Sequence, residues 1–454
     1  MNSWPWDELA STVGGSWVIE SSTDALDFVG VCIDTRDIEP GQLFFAFVGE
    51  QADGHAYLEQ AQHGGASACV VTHPDRIPDG FTLPALLIQD PQRALNDLAS
   101  VWRSRLHAKV IAITGSNGKT TTCRLMHSVC ANAGKAFASP KSFNNALGVP
   151  ITVLNTPVDA QFLVAEVGMS TPGEIAQRTK TLRPDIAMIT SIGRAHLEAL
   201  GSIENIAHEK AQLISTAPES AVGVIPSAIE SLDAALSDDS HRIIRLPSDF
   251  NINDAGFSVP LPGDHNAHNA ALCVFAAREL GIDDETIRSG LANATPPAMR
   301  FEQIEIETDS DPIVIINDAY NANPDSMHAA LSTFVSLKTA GPKLIVLGEM
   351  LEMGDSGPRE HQSLLSYAAG LKGIKRLTLL GSGFVRSVSD DERVEIIAEA
   401  NDAAITTIAS TIASGDTVLI KGSRGVRLER LIAKLSQLHA NDRSQSQTGT
   451  RTHA

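Results

Sequence analysis

Short β-branched apolar runs alternate along this chain with stretches whose apolar positions recur three or four residues apart. The runs KVIAIT (109–114), FLVAEVG (162–168), IAMITSIG (186–193) and AVGVIP (221–226) predict buried strands, since a strand covered on both faces shows no polar side. Helical spacing flanks the first of them, with Leu95, Leu98, Val101, Trp102 and Leu106 before it and Cys123, Met126, Val129, Cys130 and Ala133 after it. Buried strands separated by helices predict an α/β fold with a mainly parallel sheet. Nearer the N-terminus, QLFFAFVG, ASACVVT and PALLIQ, with one helical pattern in AYLEQAQHGG, predict a small α/β domain over 1–88. After the Pro-rich ATPPAMRFE the alternation resumes in PIVIINDAY, KLIVLGEM, RLTLLGS, VEIIA and TVLIKGS. Three domains are therefore expected: 1–88, a central sheet over 89–305 and a Rossmann-like unit over 306–437. The tail 438–454 lacks apolar residues to bury and is expected to be disordered.

A chain of 454 residues fits that division, at about 100–200 residues per domain. Its net charge of −19, with both signs interspersed, opposes attraction to nucleic acid or anionic lipid while leaving room for a local basic site that takes a phosphorylated small molecule. Five scattered cysteines without CxxC spacing indicate neither a disulfide framework nor a zinc site. No leader pattern and no apolar run of membrane-spanning length is present, so a cytoplasmic, soluble protein is expected.

Candidate chemistry begins at ITGSNGKTTT, where a strand pattern turns into a helix pattern. Gly115 and Gly118 let the backbone curl with its N–H groups inward around Ser116 and Asn117, and a helix starting near Lys119 adds its positive end. Such a loop suits a polyphosphate, with Lys119 reaching the β and γ phosphates, Thr120 ligating Mg²⁺ and Thr121 beside it. The spacing departs from the standard Walker loop, since Ile113 stands where its first glycine would be. Glu166 closes a buried strand, His196 follows the next one, and Lys210 lies on the helix after that. Ligands bind at the C-terminal edge of parallel strands, yet each residue alone also fits a structural acceptor, a loop histidine or a solvated helix face. A kinase, a GTPase and a ligase all remain open at this point.

Together, TGSNGKTT, AEVG, AHLE followed by a helix with a lysine, and GDHNAHNAAL resemble the Mur ligase family, the ATP-dependent amide ligases that build the peptide stem of bacterial peptidoglycan. The motifs occur in the family's order over essentially the whole chain. The resemblance implies ATP and two Mg²⁺ ions, with Lys119 and Thr120 at the phosphate and magnesium positions, Glu166 and His196 as metal ligands, and Lys210 carrying a carbamate that metals can use. It places Asn144, Asn145, Asn266 and Asn269 near the nucleotide and Arg300 at the γ-phosphate. Asp318, Tyr320, Asn321 and Asn323 match a loop that closes on the active site. The segment DTRDIEPGQLFFAFVGEQADGHAYLEQAQHGGA is similar to the family's uridine-diphosphate-recognising domain, so Thr35, Arg36, Asp53 and His55 are expected to contact the uridine half of the substrate.

Within the family, SFNNALGVPITVL, DAYNANPDSM, LGEMLEMG and IKGSRGVRLERLI look like the member that adds D-alanyl-D-alanine to UDP-N-acetylmuramoyl-tripeptide, and the diamino-acid element DNPR of the preceding enzyme is missing. The implied reaction passes through an acyl phosphate, catalysed by Lys119, Lys210, His196 and Arg300. Domain closure about hinges near residues 88 and 305 would keep that intermediate from water. A monomer is expected. The competing readings are a folate-extending ligase of the same family, which lacks the uridine-binding domain, and a P-loop kinase or regulatory nucleotide-binding protein.

Overall fold

Strand Lys109–Thr114 is buried from Val110 onward and pairs in parallel with Phe162–Glu166 on one side and Ile186–Ile189 on the other, as its two apolar faces require. The structure is a computed structural model that describes residues 2–20, 25–50, 52–139 and 142–449. Across the central six-stranded sheet the order is Arg242–Leu246, Val222–Pro226, Ile186–Ile189, Lys109–Thr114, Phe162–Glu166 and Ala136–Ala138, with every pair parallel. Parallel strands end on one edge, so the loops after Thr114, Glu166 and Ile189 meet there. One face is covered by helix Lys119–Ala133 packed on Asp264–Glu279 and Asp284–Ala292, although Ala133 itself is exposed. The other face carries Pro91–Arg105, Gly148–Leu154 and Ile203–Ser215.

The N-terminal unit holds a five-stranded sheet in the order Ser16–Ile19, Ala85–Leu87, Ala68–Val71, Leu43–Phe45 and Val31–Cys32, antiparallel only at the first pair. Its apolar core continues into that of the central sheet: Trp4, Leu43 and Leu86 belong to the same buried cluster as Leu98, Trp102 and Val110. A polar clamp reinforces the join: Asn155 accepts from the Val31 N–H (2.6 Å) and donates to the Val31 carbonyl (3.1 Å). A hinge near residue 88 is therefore not what this packing provides, because moving the unit would expose a shared core and unpair the Val31 backbone.

The third unit is a six-stranded sheet in the order Glu302–Ile306, Ile313–Asp318, Thr417–Lys421, Lys343–Gly348, Ile374–Leu380 and Val394–Ile397. Only its first strand is antiparallel. That strand spans the boundary expected at residue 305, so the unit begins by Glu302. The final helix runs Glu429–Gly449, so residues 438–449, expected to lack structure, are helical, while 450–454 lie outside the described residues. Among the described residues no helix is long and apolar enough to cross a membrane.

Candidate active site

Between strand Lys109–Thr114 and helix Lys119–Ala133 the chain makes the expected tight loop. Gly118 has φ 83°, and a side chain there would lie 2.5 Å from the Asn269 amide oxygen. A Cβ on Gly115 would lie 2.0 Å from Thr190 Oγ1, so both glycines are demanded by close approach as well as by conformation. The loop is held from outside: Thr190 Oγ1 donates to the Asn117 carbonyl (2.5 Å), and Ser116 Oγ both accepts from the Gly193 N–H and donates to the Gly193 carbonyl. Lys119 folds back over it, donating to the Gly115 carbonyl at 2.7 Å. Burial lowers the Lys119 pKa, opposed by the Glu166 carboxylate and assisted by Arg300.

Glu166 ends its strand buried, and both of its oxygens are committed, Oε2 accepting from Thr120 Oγ1 (2.8 Å) and Oε1 from Asn144 Nδ2 (2.6 Å). Asn145 instead caps the turn into helix Gly148–Leu154, its side-chain oxygen accepting from the Leu147 and Gly148 N–H groups. A hydroxyl and a carboxylate within 3 Å of each other offer the hard oxygen donors that Mg²⁺ takes. No group of three or more His, Cys, Asp or Glu forms a cage among the described residues. The donor set therefore fits a cation that completes its shell with water and substrate oxygens, as Mg²⁺ does.

Lys210 is only 1% exposed, which removes the solvated-face alternative. Among the described residues no carboxylate stands within ion-pairing distance of its ammonium; the neighbouring Glu209 carboxylate caps helix Glu174–Leu182 by accepting from the Gly173 and Ile175 N–H groups. Burial, then the Lys119 charge, pushes the Lys210 pKa well below that of an ordinary lysine, and Glu209 only partly opposes them. This burial was readable in IENIAHEKAQLI: Lys210 falls four residues after Ile206 and four before Ile214, inside the apolar stripe.

Arg300 enters from the junction with the third unit. Its Nη2 lies 3.3 Å from Thr120 Oγ1, its guanidinium sits 4.1 Å from the Tyr320 ring centroid, and its buried Nε has no hydrogen-bond partner among the described residues. Both neighbours, Met299 (φ 58°) and Phe301 (φ 56°), are left-handed without being glycine. Each such residue costs on the order of 1–3 kcal/mol, which a chain retains where geometry matters more than stability. An unpartnered buried N–H beside the phosphate loop is the donor an anionic oxygen would satisfy.

Two further elements complete the cleft. From helix Asp264–Glu279 come Asn269, against Gly118, and Asn266, whose amide donates to the Pro262 carbonyl. The third unit supplies Asp318, Tyr320, Asn321 and Asn323, and Lys421, which the sequence reading missed, pairs with Asp318 at 2.7 Å and donates to the Asn321 carbonyl. Lys421 ends a buried strand just as Glu166 does, and the same argument would have found it.

His196 (φ 60°) precedes the turn Leu197–Leu200, and its Nδ1 lies 2.9 Å from a carboxylate oxygen of Glu352 (φ 61°) in the third unit. The His196 contact lowers the Glu352 pKa. An exposed pair of this kind stabilises by about 1 kcal/mol at most, less than two left-handed side chains cost. Two residues earlier, Arg194 donates to Asp325 and to the buried Glu360.

The phosphate loop from Ser116 to Thr121, Asn144, Asn145, Glu166, His196, Lys210, Asn266, Asn269, Arg300 and the four third-unit candidates all line one cavity of about 540 Å³. Five Lys or Arg side chains line it against three Asp or Glu, a basic cleft in an acidic chain. The N-terminal candidates do not reach it. Arg36 is exposed and paired with Asp34, and Thr35 is buried. His55 departs from expectation: it is 2% exposed, its Nδ1 bonds Asp53 and its Nε2 accepts from the Thr72 and His73 N–H groups, so neither ring nitrogen is left for a nucleotide. Asp53 is likewise occupied by His55 and Arg76.

Three family models match the chain in succession: "Mur ligase family, catalytic domain" over residues 27–103, "Mur ligase middle domain" over 113–254 and "Mur ligase, glutamate ligase domain" over 299–424. The chain is 34% identical over 434 residues to the UDP-N-acetylmuramoyl-tripeptide–D-alanyl-D-alanine ligase of Bacillus subtilis (strain 168), with 89% of this chain and 93% of that one covered. Its likeness to the protein of the same name from Escherichia coli (strain K12) is 31% over 433 residues, covering 90% and 93%. A crystal structure of MurF from Acinetobacter baumannii matches with a TM-score of 0.81 at 26% identity, over 96% of this chain and 99% of that one. With three models matched in order and a relative above 30% identity along nearly its whole length, the chain belongs to the Mur ligase family.

Proposed function

We propose that this chain is an ATP-dependent, ADP-forming amide ligase that joins D-alanyl-D-alanine to UDP-N-acetylmuramoyl-tripeptide during cytoplasmic peptidoglycan precursor synthesis. One observation carries the reading: the phosphate loop, a buried lysine and an arginine set between two strained residues converge on a single cleft that the third unit caps. The long identity to ligases named for this reaction supports the choice of substrates.

The tripeptide carboxylate oxygen attacks the γ-phosphorus and ADP leaves; the dipeptide amine then attacks the acyl carbon, and phosphate departs with that carboxylate oxygen. Bringing one anion to another is the obstacle. Lys119, released from the Gly115 carbonyl, and Arg300, through its unpartnered Nε, are placed to neutralise phosphoryl oxygens. Thr120, Glu166 and His196 would hold Mg²⁺, as two ions, with Lys210 contributing as a carbamate. Bound there, Mg²⁺ would offset phosphate charge and fix the γ-phosphoryl group for in-line transfer. The lowered Lys210 pKa favours the neutral amine, the form that reacts with CO₂, and the carbamate so formed would be an anion available to the metals. Asn266 and Asn269 flank the nucleotide side of the loop, while Asp318, Tyr320, Asn321 and Asn323 face it from the unit that would bring the dipeptide. Arg36 and Thr35 would meet the uridine half.

Ligation with an ¹⁸O-labelled tripeptide carboxylate tests the chemistry. The expected result is one labelled oxygen in the released phosphate; unlabelled phosphate would overturn the acyl-phosphate route.

A further inference from the structure

Glu352 belongs to a loop that the third unit holds firmly: the Met350 N–H donates to His361 Nε2 and the Leu351 N–H to Ser423 Oγ, each at 2.9 Å. From that fixed base its carboxylate leaves the unit and meets His196 Nδ1 on the central unit, although the Glu352 side chain is 64% exposed. The segment around His196 is gripped at other points too, by Asp325 and Glu360 on Arg194 and by Gly354 against Glu198. Both members of the pair adopt left-handed backbone, His196 at φ 60° and Glu352 at φ 61°. With Nδ1 directed to a carboxylate, the ring proton is held on that side, and Nε2 keeps the lone pair that a cation requires.

We propose that Glu352 is a positioning residue for the metal site: it fixes the orientation and tautomer of His196 from the opposite unit, so that the His196 ligand is complete only when the third unit is docked. This rests on the reading that His196 holds a metal. Docking then becomes a condition for metal retention as well as for bringing in the amine.

The test is Mn²⁺ binding, followed by electron paramagnetic resonance, to the full chain with a non-hydrolysable ATP analogue. Parent, Glu352→Gln, Glu352→Ala, His196→Ala and the double alanine variant are compared. Because the Glu352 carboxylate is mostly exposed, its removal leaves the core intact. Glu352→Ala is expected to weaken Mn²⁺ by about 10-fold or more, the scale on which residues behind a ligand act. Glu352→Gln should recover part of that loss, because its amide oxygen still accepts from Nδ1, and the double variant should bind no worse than His196→Ala alone. Parent-like binding by Glu352→Ala beside weakened binding by His196→Ala would overturn the positioning role. Parent-like binding by His196→Ala would overturn the metal reading beneath it, and the proposal with it.

Discussion

Asn323 of the third unit donates its side-chain amide to the side-chain oxygen of Asn117 in the phosphate loop, 2.8 Å away. Its own oxygen meanwhile accepts from the Ser326 N–H and caps helix Pro324–Ser336. One residue thus ends a helix and reports to the phosphate loop that the third unit is in place. Serine keeps the cap but cannot span to Asn117. Asn323→Ser should therefore leave the melting temperature nearly unchanged while lowering the ligation kcat about 5- to 10-fold, the scale of one lost ordering hydrogen bond. A parent-like kcat would mean the contact is incidental.

The central sheet and its loop were legible because buried parallel strands leave an unmixed apolar signal, as in strand Lys109–Thr114 from Val110 onward. The edge strands Ala136–Ala138 and Arg242–Leu246 escaped notice because they are short and only partly buried. His55 was misread for a different reason: the likeness of its segment to a uridine-diphosphate-recognising domain carried it over as a substrate contact, while the backbone N–H groups that occupy its Nε2 come 17 and 18 residues later. Pairings such as His196 with Glu352 and Asn323 with Asn117 join separate units and leave no local pattern to read.

Lys210 separates stability from function. Replacing a buried lysine that has no carboxylate partner by an apolar side chain of similar length removes a desolvation cost and breaks no ion pair. Lys210→Met should melt no lower than the parent yet lose about 100-fold or more in ligation rate. A short carboxylic acid should partly restore activity to Lys210→Ala by taking the carbamate's place. A Met variant with normal activity would reduce Lys210 to a packing residue.

The join between the first two units is open to a stability measurement. Asn155→Ala leaves the N–H and C=O of the buried Val31 unpaired, at a cost of about 1–3 kcal/mol. Denaturant unfolding should show that loss in a single transition. An unchanged midpoint, or separate unfolding of the N-terminal unit, would restore a hinge near residue 88.

Asp53 gives a pH dependence of known sign. The His55 N–H, then the His55 ring and Arg76, hold its carboxyl at about 2. An unfolded aspartate titrates near about 3.9, so this depressed value contributes stability that is full above that pH and is lost as pH falls toward 2. Asp53→Asn should be less stable than the parent at pH 5, with the gap narrowing at pH 3. A gap of constant size would show that the ionised carboxylate is not the source.

Dependence of ATP turnover on the amine tests the central claim most directly. Purified protein is given ATP, Mg²⁺ and UDP-N-acetylmuramoyl-tripeptide, and phosphate release is followed with and without D-alanyl-D-alanine, with Lys119→Ala as the inactive control. The account predicts phosphate release that rises sharply with the dipeptide, in equal amount with the ligated product, and that Lys119→Ala abolishes. Turnover of ATP at the same rate without the dipeptide, and without a ligated product when it is present, would contradict it.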